Sequence, residues 1–165
     1  WKSGRNSPQR SNCVSLKTDK PVELAAAEEK RRITRQVIAW LNTCPCLPVK
    51  QAGYGGLQPG RPGVALVSPQ GAVIRKRYIC GGHLGEYPFS LTYRIVNPGS
   101  STDKRLKADE ALDAVGAWAA SGRPDVGPTA QARRVEVAAR AALSAVWQDG
   151  DEDHEIQLKL IYEVI

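Results

Sequence analysis

The chain has 165 residues, 42% of them hydrophobic and 24% charged, with a formal net charge of +6. That balance excludes a wholly disordered or collagen-like chain, and no apolar run approaches the ~18–20 residues of a membrane span. The length fits one domain with a short appendage, large enough to bury a core without staples.

The charge is unevenly placed. Residues 1–20 carry Lys2, Arg5, Arg10, Lys17 and Lys20 against Asp19, a net +4 of the total. Few large apolar residues accompany them, so this segment reads as a disordered basic tail or a non-native leader. Residues 21–165 read as a single α+β domain. No apolar segment typical of a secretory signal opens the chain, and four cysteines are too few for a disulfide scaffold of this length. Synthesis in a reducing interior is the expectation.

A helix is expected first. Thr18 or Asp19 suits its cap, Pro21 its first turn, and Ile33, Val37 and Leu41 recur on one face. Pro45 and Pro48 end it. Residues 50–63 then read as a glycine- and proline-rich loop with no phosphate-binding ending. Val64–Val67 and Ala72–Cys80 follow as two strands joined by the turn Pro69-Gln70-Gly71, predicting a hairpin. Tyr87, Phe89, Leu91, Tyr93 and Ile95 alternate with other residues, a strand with one buried face; Pro88 puts its start at an edge or bulge. Thr102 is expected to cap a second helix, buried through Ala108, Leu112, Val115 and Ala119 and ended by Gly122. A strand through Val135 and Val137, continuing after a bulge to Trp147, leads to the hairpin signal Asp149-Gly150. Ile156, Leu158, Leu160, Tyr162 and Val164 close the chain as a second cleanly alternating strand. The expected order is α-β-β-β-α-β-β: a mostly antiparallel sheet of about five strands, with two helices on one face.

Three constellations invite chemistry. Cys44, Cys46, Cys80 and His83 supply three thiols and an imidazole, a zinc-like donor set. The single spacer in Cys44-Pro45-Cys46 is too short for a zinc knuckle, so structural cysteines are preferred and no metal or other cofactor is expected. Asp149, Asp151 and Asp153 lack the spacing of a calcium loop. They and His154 read as a solvent-exposed hairpin tip, and His83 has no partner in the sequence. Arg75-Lys76-Arg77 is a basic cluster inside the domain, with Arg75 and Arg77 on one face of a strand. No nucleophile, base and orienting acid come together, so no catalytic residue is assigned and no small-molecule substrate is expected.

The stretch Ile74-Arg75-Lys76-Arg77-Tyr78-Ile79, then Glu86-Tyr87-Pro88-Phe89 and Tyr93-Arg94, resembles the tail terminator (tail completion) proteins of long-tailed phages and prophages. The helix Lys107–Trp118, the acidic turn with the strand Ile156–Glu163, and the opening helix Ile33–Leu41 followed by Leu47-Pro48 are similar in order. Residues 1–20 have no counterpart, and the loop 53–63 is richer in glycine and proline than the family pattern. The resemblance implies a virion structural protein and not an enzyme: a six-fold homo-oligomeric ring that caps the tail tube and meets the head–tail connector, at the head-proximal end of the tail. Tube protein and connector (head completion) protein are then its partners besides itself, with assembly in the bacterial cytoplasm and no membrane involved. Tyr54, Leu57, Arg75, Arg77, Asp151 and Asp153 are the expected interface residues, with the basic residues of one subunit meeting the acidic turn of the next. Two alternatives are a nucleic-acid-binding module using the basic tail and Arg75-Lys76-Arg77, and a zinc domain using Cys44, Cys46, Cys80 and His83.

Overall fold

The computed structural model describes residues 22–165, with side chains from Ala27 onward. The basic segment 1–20, the expected cap Thr18 or Asp19 and the expected first-turn residue Pro21 lie outside the described residues. The fold is α+β, with two helices and a mixed six-stranded sheet. In chain order the elements are α1 (Val22–Leu41), β1 (Ala52–Tyr54), β2 (Gly63–Val67), β3 (Val73–Arg77), β4 (His83–Ile95), α2 (Thr102–Ser121), β5 (Ala130–Val146) and β6 (Glu152–Val164).

The sheet runs β1-β2-β4-β6-β5, with β3 paired to β4. Only β1–β2 is parallel; the other pairs are antiparallel. The sheet departs from the expected one in the loop 50–63 and at the expected hairpin. The loop 50–63 contains β1, whose three residues are too few to show a period; Asn42 Oδ1 tethers it by accepting from the Ala52 N–H at 2.7 Å. The segments β2 and β3 do not form a hairpin with each other. Both lie along the same side of β4, β3 against its first residues and β2 against Ser90–Arg94.

Pro88 marks the gap between them. It lies in the interior of the sheet, not at an edge: β6 pairs across from it through Lys159. On the other side its carbonyl accepts from Ser68 Oγ at 2.6 Å. A strand residue points its N–H and C=O to the same side, so the missing N–H of proline falls where no ladder bond is required.

The alternation in β4 and β6 builds the core. Tyr87 is opposite Leu160, Phe89 opposite Leu158 and Leu91 opposite Ile156, and all six are buried. They join Ile33, Val37 and Leu41 of α1 and Leu112, Val115 and Ala119 of α2 in one hydrophobic cluster. The helices meet through stacked Trp40 and Trp118, ring centroids 4.7 Å apart. Gly122 follows α2 in an extended conformation; a Cβ there would lie 3.1 Å from the Trp40 ring, so close packing explains this glycine. The cap of α2 is Ser101, one residue before the expected Thr102; its side chain accepts from the Lys104 N–H.

The strand β5 is longer than expected, and its register against β6 shifts at four places, where a single bulge was expected. Each shift reverses which side chains face the core, so its apolar residues show no sustained period.

Candidate functional site

The start of β6 is the largest departure from the sequence reading. Asp151, Glu152, Asp153 and His154 are not a solvated tip; they are 2%, 4%, 5% and 1% exposed. The core-facing parity of Ile156, Leu158 and Leu160 extends back through His154 and Glu152, placing those two on the helix-bearing face. Asp151 and Asp153 therefore face the other side of the sheet.

On the helix face, Arg105 of α2 donates from Nε and Nη2 to Glu152, at 2.7–2.9 Å. His154 Nδ1 lies 2.6 Å from Asp109 Oδ1, and its Nε2 is 3.5 Å from Glu152 Oε2. The hydrogen bonds and charge of Arg105 hold Glu152 below the usual carboxylate range, against the opposing effect of burial.

On the opposite face, Arg94 donates to both oxygens of Asp153 at 2.7 and 2.9 Å. Trp147 Nε1 adds a third bond to Asp153 at 2.9 Å, and its ring lies under the Arg94 guanidinium. Burial pushes the Asp153 pKa up, but the bonds from Arg94 and Trp147 outweigh it and the carboxyl sits below its ordinary value. Asp151 accepts from the backbone N–H groups of Gly60 and Asn97, at 3.0 and 3.1 Å, while Arg94 Nη1 donates to the Leu57 carbonyl. One short acidic run thus ties the loop before β2, the end of β4, the start of α2 and the β5–β6 hairpin into one end of the molecule. Asp151 and Asp153 are buried and bonded inside the chain, so their carboxylates do not face a neighbouring subunit, whereas Asp149 is exposed. The expected pairing of a neighbour's Arg75 and Arg77 with this turn loses Asp151 and Asp153 as acidic partners.

The other sequence-derived candidates are dispersed. Arg75 lies at a register shift in β3 and donates to Glu86 at 2.8 Å, so strict alternation does not carry across to Arg77. Arg77 is exposed. Leu57 is half-buried and folds back against Gly63. Tyr54 is 58% exposed at the sheet edge, beside a cavity of about 300 Å³ lined by Lys30, Arg31, Thr34, Arg35, Ile38 and Tyr54.

The zinc-like donors separate. Cys44 and Cys46 touch at the end of α1, their sulfurs 3.0 Å apart. His83 instead meets Glu29, near the other end of that helix, at 2.9 Å. The helix runs a further twelve residues from Glu29 to Leu41, ~18 Å along the axis, before the turn that carries Cys44. Cys80 is exposed beyond β3. Among the described residues no group of three or more His, Cys, Asp or Glu is placed to hold a metal ion. His83 therefore has a partner that the sequence did not disclose, and Tyr162 also donates to Glu29, at 3.3 Å.

The remaining feature is an exposed apolar margin. The terminal strand β5 has 17 residues and pairs only with β6 among the described strands. Leu143 is 50% and Val146 64% exposed. Among the described residues no helix is long and apolar enough to cross a membrane. No protein-family model matches the chain, and no curated protein matches it.

Proposed function

We propose that this chain is a virion structural protein, a tail terminator that closes into a ring on the end of a phage or prophage tail tube and forms the joint to the head connector. The sequence resemblance centred on Arg77–Arg94 supports the family. The observation that carries the assembly is the exposed margin of β5.

Protein sheets usually protect their edges by shortness, charge or a cover. The opposite margin follows that rule: β1 has three residues, and β3 carries Arg75, Lys76 and Arg77. The strand β5 is long and carries Leu143 and Val146 outward. Its register shifts interrupt a continuous ladder, so a neighbour docks on side chains rather than extending the sheet without end. The groove beside Tyr54 and Ile38, at the other margin, is the complementary surface. Contact between two different surfaces is head to tail, the geometry that closes into rings. The ring is six-fold in this reading, and neither cofactor nor substrate takes part.

Deleting the gene from the phage or prophage that carries it tests the proposal. Unjoined tails of irregular, overlong length are expected in electron micrographs. Tails of normal length on full heads would overturn it, and steeply salt-dependent DNA binding by the purified chain would favour the nucleic-acid reading instead.

A further inference from the structure

We propose that Cys44 and Cys46 form a redox-active dithiol that closes reversibly to a Cys44–Cys46 disulfide by exchange with a small-molecule disulfide of the glutathione class.

The geometry favours closure. The turn after α1 is held by the Thr43 N–H donating to the Trp40 carbonyl, the Cys44 N–H to Leu41, and the Leu47 N–H to Cys44. This places the two sulfurs 3.0 Å apart, about 1 Å from the ~2.05 Å of a bonded pair. Pro45 is the sole residue between them and restricts the backbone of the spacer. The two thiols differ in access. Cys44 is buried within the hydrophobic cluster, whereas Cys46 packs against that cluster from a half-exposed position. Burial, reinforced by the contact with Cys46, pushes the Cys44 thiol up to about 11. Cys44 therefore keeps its proton, and Cys46 is the sulfur that an external disulfide reaches.

The exchange has two steps. The Cys46 thiolate attacks one sulfur of the oxidised disulfide, whose S–S bond breaks and releases one thiolate. Cys44 then gives its proton to that thiolate or to water and displaces the second thiol from Cys46. The protein pair loses two electrons and two protons; the reagent is reduced to two thiols. The clip lies two residues beyond Asn42, which holds β1 through Ala52. Oxidation therefore acts on the connection that positions β1 and Tyr54.

The test uses the full chain treated with excess oxidised glutathione, alkylated and digested with trypsin. The peptide Gln36–Lys50 contains Cys44 and Cys46 and no other cysteine. It should be lighter by two hydrogens and carry no alkyl group, and dithiothreitol before alkylation should restore two alkylation sites. Exposed Cys80 should instead carry a mixed disulfide under the same conditions. Two alkyl groups on the Gln36–Lys50 peptide after oxidation, or a stable mixed disulfide on Cys46, would overturn the proposal. In Cys46→Ser, with native far-ultraviolet circular dichroism as the control, Cys44 should remain a free thiol. Its glutathionylation at the rate of Cys80 would contradict the ordering of the two sulfurs.

Discussion

Arg94 and Asp153 stand directly opposite each other on β4 and β6 and share two hydrogen bonds across the ladder, at 2.7 and 2.9 Å. Both are at least nine-tenths buried. A buried pair of this kind is expensive to halve, because the surviving charge keeps its desolvation and loses its partner. Asp153→Ala or Arg94→Met alone is expected to lower the unfolding free energy by ~3–5 kcal/mol. The double variant Arg94→Met/Asp153→Leu should recover a large part of that loss. Urea titrations of the four proteins measure it; additive losses would show that the two side chains do not act as a unit.

Acid should loosen this end of the molecule first. Both Glu152 and Asp153 are depressed below their ordinary values, 4.5 and 3.8. A depressed carboxyl binds its proton less readily in the native state than in the unfolded chain. Its stabilisation is therefore complete above the unfolded value and is lost as pH falls through the lower native one. Stability should be insensitive to these two groups above about pH 5 and decline below about pH 4. Denaturant midpoints between pH 7 and pH 2.5 test this. Glu152→Gln should show a shallower acid-side decline than the parent chain.

A third test concerns the core. Phe89 is 2% exposed between the rest of β4 and its partner Leu158. Phe89→Ala is expected to cost ~3–5 kcal/mol, from lost burial and the cavity left behind. Gly85 tests the opposite error. It pairs across the sheet with Tyr162, whose ring covers it, so a methyl group would collide with the aromatic carbons. Gly85→Ala should cost ~1–3 kcal/mol through overpacking. A neutral Gly85→Ala would mean that the Tyr162 ring moves aside freely.

What the sequence disclosed depended on whether a period survived long enough to be seen. The faces Ile33/Val37/Leu41 and Leu112/Val115/Ala119 repeat at helical spacing, and the alternation of β4 and β6 names the core residues opposite one another. The strand β1 is too short to show a period, and the shifts in β5 break the one it has. The β2–β3 turn looked like a hairpin turn because turn chemistry is local, whereas the choice of β4 as partner for both strands is set by long-range packing. The acidic run departs from its expected place for a different reason. Charge density suggested solvent, but parity counted back from Ile156 already assigns Glu152 and His154 to the core face. Arg94, Arg105 and Asp109, which make that burial tolerable, are distant in sequence.

In the proposed ring, the margin of β5 is the surface that meets the next subunit. Leu143 and Val146 lie on the terminal strand close to the hairpin, and Trp147 follows them. The Trp147 indole N–H is already engaged by Asp153 and its ring by Arg94, so replacing it would confound assembly with folding. Leu143 and Val146 have no such internal duty: both are at least half exposed. Leu143→Lys/Val146→Lys should leave the monomer's stability within about 1 kcal/mol of the parent, as surface substitutions do. In the ring it sets two cations against the groove lined by Lys30, Arg31 and Arg35, where desolvation and like-charge repulsion together cost several kcal/mol at each contact. Ring closure repeats that penalty at every interface, so the loss should be all-or-none. Complementation of a deletion phage with this variant should fail to yield joined tails of uniform length, although the purified chain unfolds at the parent's midpoint. Tyr54→Lys, at the other sheet margin beside the groove, should behave in the same way. If both variants restore normal particles, these two surfaces do not meet in the assembled tail.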